Sequence, residues 1–201
     1  MDIVHYPHPA LRWKSRPVTE INADLRAIVR RMFELMYEHK GIGLAANQVG
    51  LPLRLFVINL TGEVSEKDEE IVFINPEIIR RKGTETGEEG CLSLPKLYGD
   101  VRRAEKIVVE AFDLEGHGFE VSVDELAARA IQHESDHLDG ILFPDRMTDT
   151  AKKELLPAMS DFEALFQRQL EIGTLPPIEV IQQQLKAWET QNPTAQELKI
   201  T

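Results

Sequence analysis

The chain has 201 residues, ordinary apolar content and a formal net charge of −11. That length gives one domain, or one domain with an appendage, and the acidity disfavours nonspecific binding to nucleic acid or to an anionic membrane. No apolar run reaches the length of a membrane span, and the single cysteine, Cys91, excludes an internal disulfide.

The opening, Met1 to Pro7, lacks the basic region and apolar core of a signal peptide, and it is not the Arg- and Ser-rich start of a transit peptide. A cytoplasmic protein is therefore expected. Residues 1 to 22 read as an extended arm punctuated by Pro7, Pro9 and Pro17. A helix follows, capped by Asn22, with Leu25, Ile28, Val29, Met32 and Met36 as its apolar stripe. Next comes Gly41-Ile-Gly-Leu-Ala-Ala-Asn-Gln48. Gly41, Gly43 and Ala46 imitate a dinucleotide-binding fingerprint, but that motif follows a strand and opens a helix. Here the glycines follow a helix and run into an apolar strand at residues 53 to 60. They read either as an ordinary turn or as a loop whose backbone approaches a ligand, with Gln48 presenting an amide.

Residues 61 to 70 are polar and acidic, an exposed loop. Residues 71 to 75 and 77 to 80 read as strand interrupted by Pro76. Cys91 sits in Glu89-Gly-Cys-Leu-Ser93, an irregular stretch that can aim a thiol outward, a small buried hydrophobe being the plainer alternative. Residues 106 to 113 and 118 to 123 alternate as the two strands of a hairpin. A helix is expected next, opened by a capping box at Ser122 to Glu125 and stopped at Gly140. Leu126, Ala127, Ala130, Ile131 and Leu138 form its apolar side, and Glu134 falls on that side. Residues 150 to 172 are helical in pattern, with Pro157 able to kink the helix or delay its start. A weaker helix at 178 to 189 follows Leu175-Pro-Pro177, and the chain beyond Gln191 reads as a frayed tail.

The chemistry concentrates in Gln132-His-Glu-Ser-Asp-His137. Four residues turn a helix by about 400°, so His133 and His137 project from one face. Two imidazoles so placed can grip one metal ion, and Glu134 can reach a water on it. Two surface histidines are the plainer alternative. A catalytic site of this kind wants a third protein ligand. In one metalloprotease pattern a third histidine would stand at position 143, which is Phe143 and cannot ligate. Another pattern uses a glutamate on a later helix, where Glu154 or Glu163 could serve, and the thiolate of Cys91 is a third option. Spacing leaves the choice open.

Three stretches taken together, Gly41 to Gln48, Glu89 to Ser93 and Gln132-His-Glu-Ser-Asp-His-Leu-Asp-Gly140, resemble peptide deformylase. Tyr6-Pro-His-Pro-Ala-Leu-Arg12 and Pro17-Val18 resemble the family's opening, and the match covers about residues 3 to 150. An α+β fold is expected, with antiparallel β-sheets around the central HExxH helix and an additional C-terminal helix. Residues 1 to 150 would be the catalytic domain and 151 to 201 a helical extension rather than an independent domain. The resemblance implies removal of the N-formyl group from the formylmethionine of nascent polypeptides. It selects Cys91 as the third ligand beside His133 and His137. A metal-held water would attack the formyl carbon, with Glu134 as base and then acid. The Gln48 side-chain amide and the Leu92 backbone N–H would stabilise the oxyanion. The Gly43 backbone would contact the peptide, and Ile42, Leu92 and the turn from Ala130 to His133 would take the methionine side chain.

By the same resemblance the metal is Fe(II), with zinc or nickel able to occupy a purified sample. Asp136 is a candidate partner for a ligating histidine, and Glu89 a candidate partner for Arg103, a surface ion pair being the plainer alternative. His5, His8, His39 and His117 read as bystanders. Lys96-Leu-Tyr98-Gly99 differs among relatives, so substrate contacts there are not carried over. The slightly acidic segment after Thr150 disfavours docking on ribosomal RNA; it would pack on the domain or form a dimer contact. Two rival readings are a metallopeptidase with Glu154 as third ligand, and a structural-zinc module. The latter would fill all four metal positions with protein ligands and leave Glu134 idle.

Overall fold

The computed structural model describes residues 1–191 and 193–200. Four helices, α1 (Ala23–Glu38), α2 (Glu125–Leu138), α3 (Asp149–Glu171) and α4 (Ile178–Ala187), accompany seven strands. The strands are β1 (Gly43–Ala45), β2 (Leu55–Ile58), β3 (Ile71–Lys82), β4 (Glu85–Cys91), β5 (Leu94–Arg103), β6 (Lys106–Phe112) and β7 (Gly118–Asp124). They form an antiparallel five-stranded sheet in the order β1-β2-β3-β6-β7 and a separate β4-β5 hairpin. The fold is the expected α+β arrangement.

β2 is apolar at every position because both faces of the sheet are covered there. Side chains alternate across a strand. Leu55 and Val57 pack with Leu25, Ile28, Met32 and Met36 of α1. Phe56 and Ile58 pack with Ala128, Ala130, Ile131 and Leu138 of α2. Phe56 stacks on its cross-strand partner Phe73 at 4.8 Å between centroids, a pairing worth about 0.5–1.5 kcal/mol beyond its area. The sheet thus separates α1 from α2 and holds the histidine helix against a wide apolar surface.

The Asn22 side chain accepts from the Leu25 N–H, as expected of the α1 cap. Other local expectations need correction. The capping box before α2 does not form: Ser122 pairs with Val108 inside β7, and Asp124 stands at the helix start without a side-chain cap. Leu126, counted in the apolar stripe, is half exposed. Pro76 does not break β3. It sits at a register shift where Asn75 turns to φ 52°, and the Asn75 amide bonds the Val18 N–H and carbonyl at 2.7 and 2.9 Å. Likewise the segment before Cys91 is strand, not irregular chain. Its sequence, Glu-Thr-Gly-Glu-Glu-Gly-Cys, lacks alternating apolar residues and is ordered by pairing with β5 and by buried charges.

The C-terminal segment packs on the domain, one of its two expected placements, and differs from expectation beyond Gln191, where a frayed tail is expected. Pro157 lies within α3 without ending it. The tail folds back: Ile181 and Leu185 pack on Ala10, and Trp188 joins the α1 core, with Leu198 and Ile200 against it. Arg16 donates to the Trp188 carbonyl at 2.5 Å, Trp13 to Glu189 at 2.9 Å, and the Ala195 N–H to Asp24 at 3.0 Å. Positions 192 and 201 of that expected tail lie outside the described residues. Long-range apolar contacts, invisible in local pattern, make this tail part of the domain surface. Trp188→Ala is expected to destabilise the protein by about 3 kcal/mol, the cost of emptying a large buried site. A urea titration would show the lower midpoint at an unchanged slope.

Candidate metal centre

α2 carries His133 and His137 on one face, and the end of the β4-β5 hairpin brings Cys91 against them. The pairing register shifts between Gly90 and Cys91, where the hairpin tightens. One ligand atom from each of Cys91, His133 and His137 lies within 4.8 Å of the others. Cys91 Sγ is 3.4 Å from His137 Nε2. Bond lengths of about 2.3 Å to sulfur and 2.0–2.1 Å to nitrogen at a tetrahedral angle would set such atoms about 3.5 Å apart. The donor set therefore fits one divalent transition-metal ion. Glu154 and Glu163 are exposed on α3, where Glu163 accepts from the Tyr6 hydroxyl at 2.8 Å, and Phe143 is buried in the core.

Burial opposes charge on both imidazoles. On His133 the Cys91 thiol and the Glu89 carboxylate overcome it and raise the pKa. On His137, burial and the charge of His133 act together and hold the ring neutral. His133 Nδ1 is 3.0 Å from Glu89 Oε2, which leaves Nε2 as the nitrogen that could face a metal. His137 Nδ1 and Glu134 Oε2 are buried without a hydrogen-bond partner among the described residues.

Glu134 is 5% exposed, and burial pushes its carboxyl up to about 7. Gly43 makes room for it: a Cβ there would fall 2.6 Å from Glu134 Oε1. Gly43→Ala is expected to displace the carboxylate and cost about 100-fold in turnover, since a misplacement on the order of 1 Å has that effect. Steady-state kinetics on folded, metal-loaded variant checks it. The Gln48 amide is oriented from both ends. Its Oε1 accepts from the Ala45 N–H at 2.9 Å, and its Nε2 donates to Cys91 Sγ and Ser93 Oγ, each at 3.3 Å.

Behind the histidines lies a buried charge cluster. Arg103 donates to both oxygens of Glu89 at 2.8 Å and also to Asp136. Arg129 donates to Glu89 at 2.9 Å, and Arg146 donates twice to Asp136, at 2.6 and 3.0 Å. Burial alone would raise the Glu89 carboxyl, but bonds from Arg103 and His133 hold it down at about 2. The Glu89–Arg103 pair is therefore a buried one, not a surface ion pair: both side chains are 4% exposed. Asp136 serves arginines rather than a histidine, because the helix turns its carboxylate toward Arg103 and Arg146. The roles of Arg129 and Arg146 were not legible in the sequence. Arg129 lies one helical turn before His133, on the same face, and that spacing was the available signal.

Ile42, Gly43, Gln48, Cys91, Leu92, Ala130, His133 and Glu134 all line one cavity of about 510 Å³. Size and lining suit a small apolar side chain with a few polar groups converging on its floor. His5 and His39 line it too, while His8 caps a 3₁₀ turn and His117 lies exposed beside Asp113.

Fold and site together define the class: a metal-dependent hydrolase built on an HExxH helix. Residues 1–153 match the model of the polypeptide deformylase family. A peptide deformylase of Rhodopirellula baltica is 43% identical over 189 residues, 94% of each chain, and one of Acidobacterium capsulatum is 54% identical over 154 residues, covering 77% of this chain and 89% of its own. A crystal structure of peptide deformylase from Plasmodium falciparum superposes with a TM-score of 0.81 at 38% identity, over 83% of this chain and 98% of that one. The chain belongs to the polypeptide deformylase family. It is a hydrolase of N-terminal protein processing, of a family that uses a divalent metal and acts on formylated nascent peptides. No helix of the described residues is long and apolar enough to cross a membrane.

Proposed function

We propose that this chain removes the N-formyl group from the formylmethionine of newly made polypeptides, and that the floor of the 510 Å³ cavity is where it does so. One observation carries the reading. Cys91, His133 and His137 converge, and Cys91 and His133 line one cavity together with the buried Glu134 and the anchored Gln48 amide. Those three residues would hold the metal, and Fe(II) is the ion we infer, with zinc or nickel able to use the same donors. When bound, such an ion supplies Lewis acidity, lowering the pKa of a coordinated water and polarising the formyl oxygen.

The chain's own residues do the rest. Glu134 takes a proton from the attacking water as the oxygen–carbon bond forms. It returns that proton to the nitrogen as the carbon–nitrogen bond breaks, giving formate and a free α-amine. A carboxyl held near neutrality suits both transfers. Gln48 Nε2 and the Leu92 backbone N–H donate to the oxygen where negative charge develops. Gly43 offers main chain to the peptide, and Ile42, Leu92 and Ala130 wall the methionine side chain. Residues 1 to 150 carry this machinery, with 151 to 201 as an extension of the same domain. A cytoplasmic setting fits the nascent-chain substrate, and the acidic C-terminal segment favours packing on the domain over docking on ribosomal RNA.

The test is formate release from formyl-Met-Ala-Ser by protein loaded anaerobically with iron or nickel. Release is expected, and a folded, loaded protein that releases none would overturn the assignment. In Cys91→Ser, metal content and activity are expected to fall together. Full metal retention in that variant would mean that the Cys91 thiolate is not a ligand.

A further inference from the structure

The cavity has a buried floor and an exposed mouth. Gln48, Glu89, Arg129, Ala130 and Glu134 are buried, and His133 is partly buried. The charged or titratable lining residues that are exposed are His5, His39, Lys40, Glu88, Lys96 and Tyr98. The reacting formyl group belongs at the floor, so the residues that follow the formylmethionine must leave across the mouth. That mouth carries two lysines against one exposed carboxylate, Glu88, on a chain whose net charge is −11. Its local sign is opposite to that of the protein.

The two lysines share a second feature. Lys40 has φ 58° and Lys96 has φ 66°, both left-handed. Lys40 occupies the position just past α1 where the Gly41 N–H returns to the Met36 carbonyl at 2.8 Å, a place glycine fills with least strain. Lysine in such a conformation is uncommon, and strain of this kind concentrates at ligand-contacting positions. Neither ammonium has an ion-pair partner among the described residues, although carboxylates outnumber lysine and arginine 34 to 23 in the chain.

We propose that Lys40 and Lys96 set substrate preference, favouring formylmethionyl chains with acidic side chains at the second and third positions. The proposal rests on the deformylase reading of the site. Opposite charges meeting at the mouth would steer and hold such peptides, chiefly through KM, and salt would screen the effect.

Three peptides differing only in charge test it: formyl-Met-Asp-Glu-Ala, formyl-Met-Asn-Gln-Ala and formyl-Met-Lys-Lys-Ala, assayed for formate at low ionic strength. The acidic peptide is expected to exceed its neutral isostere in kcat/KM by about three- to tenfold, the scale of two exposed ion pairs. The ratio should fall toward one in molar salt. The ratio is taken within each variant, so altered folding yield or metal loading cancels. In Lys40→Gln/Lys96→Gln it should be near one, and in Lys40→Glu/Lys96→Glu the lysine peptide should lead. Equal rates on all three peptides with the parent protein, or a preference unchanged in both double variants, would overturn the proposal and leave the deformylase reading standing. No formate from any peptide would remove that reading and the proposal with it.

Discussion

Glu134→Gln is expected to lower formate release by about 10³-fold while metal content stays at the parent level, since positioned proton transfer contributes about 10²–10⁴-fold. The carboxylate is not drawn into the charge cluster behind it. One of its oxygens abuts Gly43 and the other has no hydrogen-bond partner among the described residues. The amide of glutamine keeps the size of the side chain but cannot accept and return a proton. Because no ligand is altered, metal analysis separates this loss from that of Cys91→Ser. A variant that keeps more than about a tenth of parental turnover would mean that another group moves the proton, a result outside the usual size of the effect.

Arg103→Met should be the most destabilising single change near the site. Arg103 lies between two carboxylates, Glu89 and Asp136, and is itself 4% exposed. Removing it leaves buried negative charge undercompensated, which costs about 3–5 kcal/mol in comparable buried pairs. Arg129 still reaches Glu89 and Arg146 still reaches Asp136, so the lower end of that range is expected, read as a shifted urea midpoint. The loss reaches function because Glu89 orients His133 through Nδ1. Outer partners of this type change metal affinity by about 10–100-fold, measurable by competition with a chelator.

The same cluster has a pH signature. The Glu89 carboxyl is held at about 2 in the fold, below its ordinary value of 4.5. A depressed carboxyl stabilises the fold above its unfolded pKa, and that contribution is lost as pH falls from about 4.5 toward 2. Unfolding free energies measured across that window should fall with acid, and the slope should flatten in Arg103→Met, where the depression is weaker. An unchanged slope would mean that Glu89 is held down mainly by Arg129 and His133.

Local sequence pattern carried the parts of this protein that repeat at short range. The α1 stripe and its Asn22 cap, the β6-β7 hairpin and the pairing of His133 with His137 all follow from spacings of a few residues. Periodicity also put Glu134 on the buried side of α2. The convergence of Cys91 with the two histidines was beyond such reasoning, because it joins positions more than forty residues apart and family resemblance alone singled out the thiol. β4 and β5 escaped for a related reason. β4 is acidic and glycine-rich, β5 carries Pro95 and Gly99 among charged residues, and what orders them is their mutual pairing and the arginines Arg103 and Arg129.

Sequence alone determined which residue types this protein has for its chemistry and which helical face presents them, since helix geometry is local. Tertiary structure brought Cys91 beside the two histidines and decided the hidden arginines and the charged mouth of the cavity. It also decided the fate of the C-terminal tail, which Trp188 ties into the α1 core. Each of these depends on the burial of charge or apolar surface by distant segments, and that free energy exists only once the chain has folded.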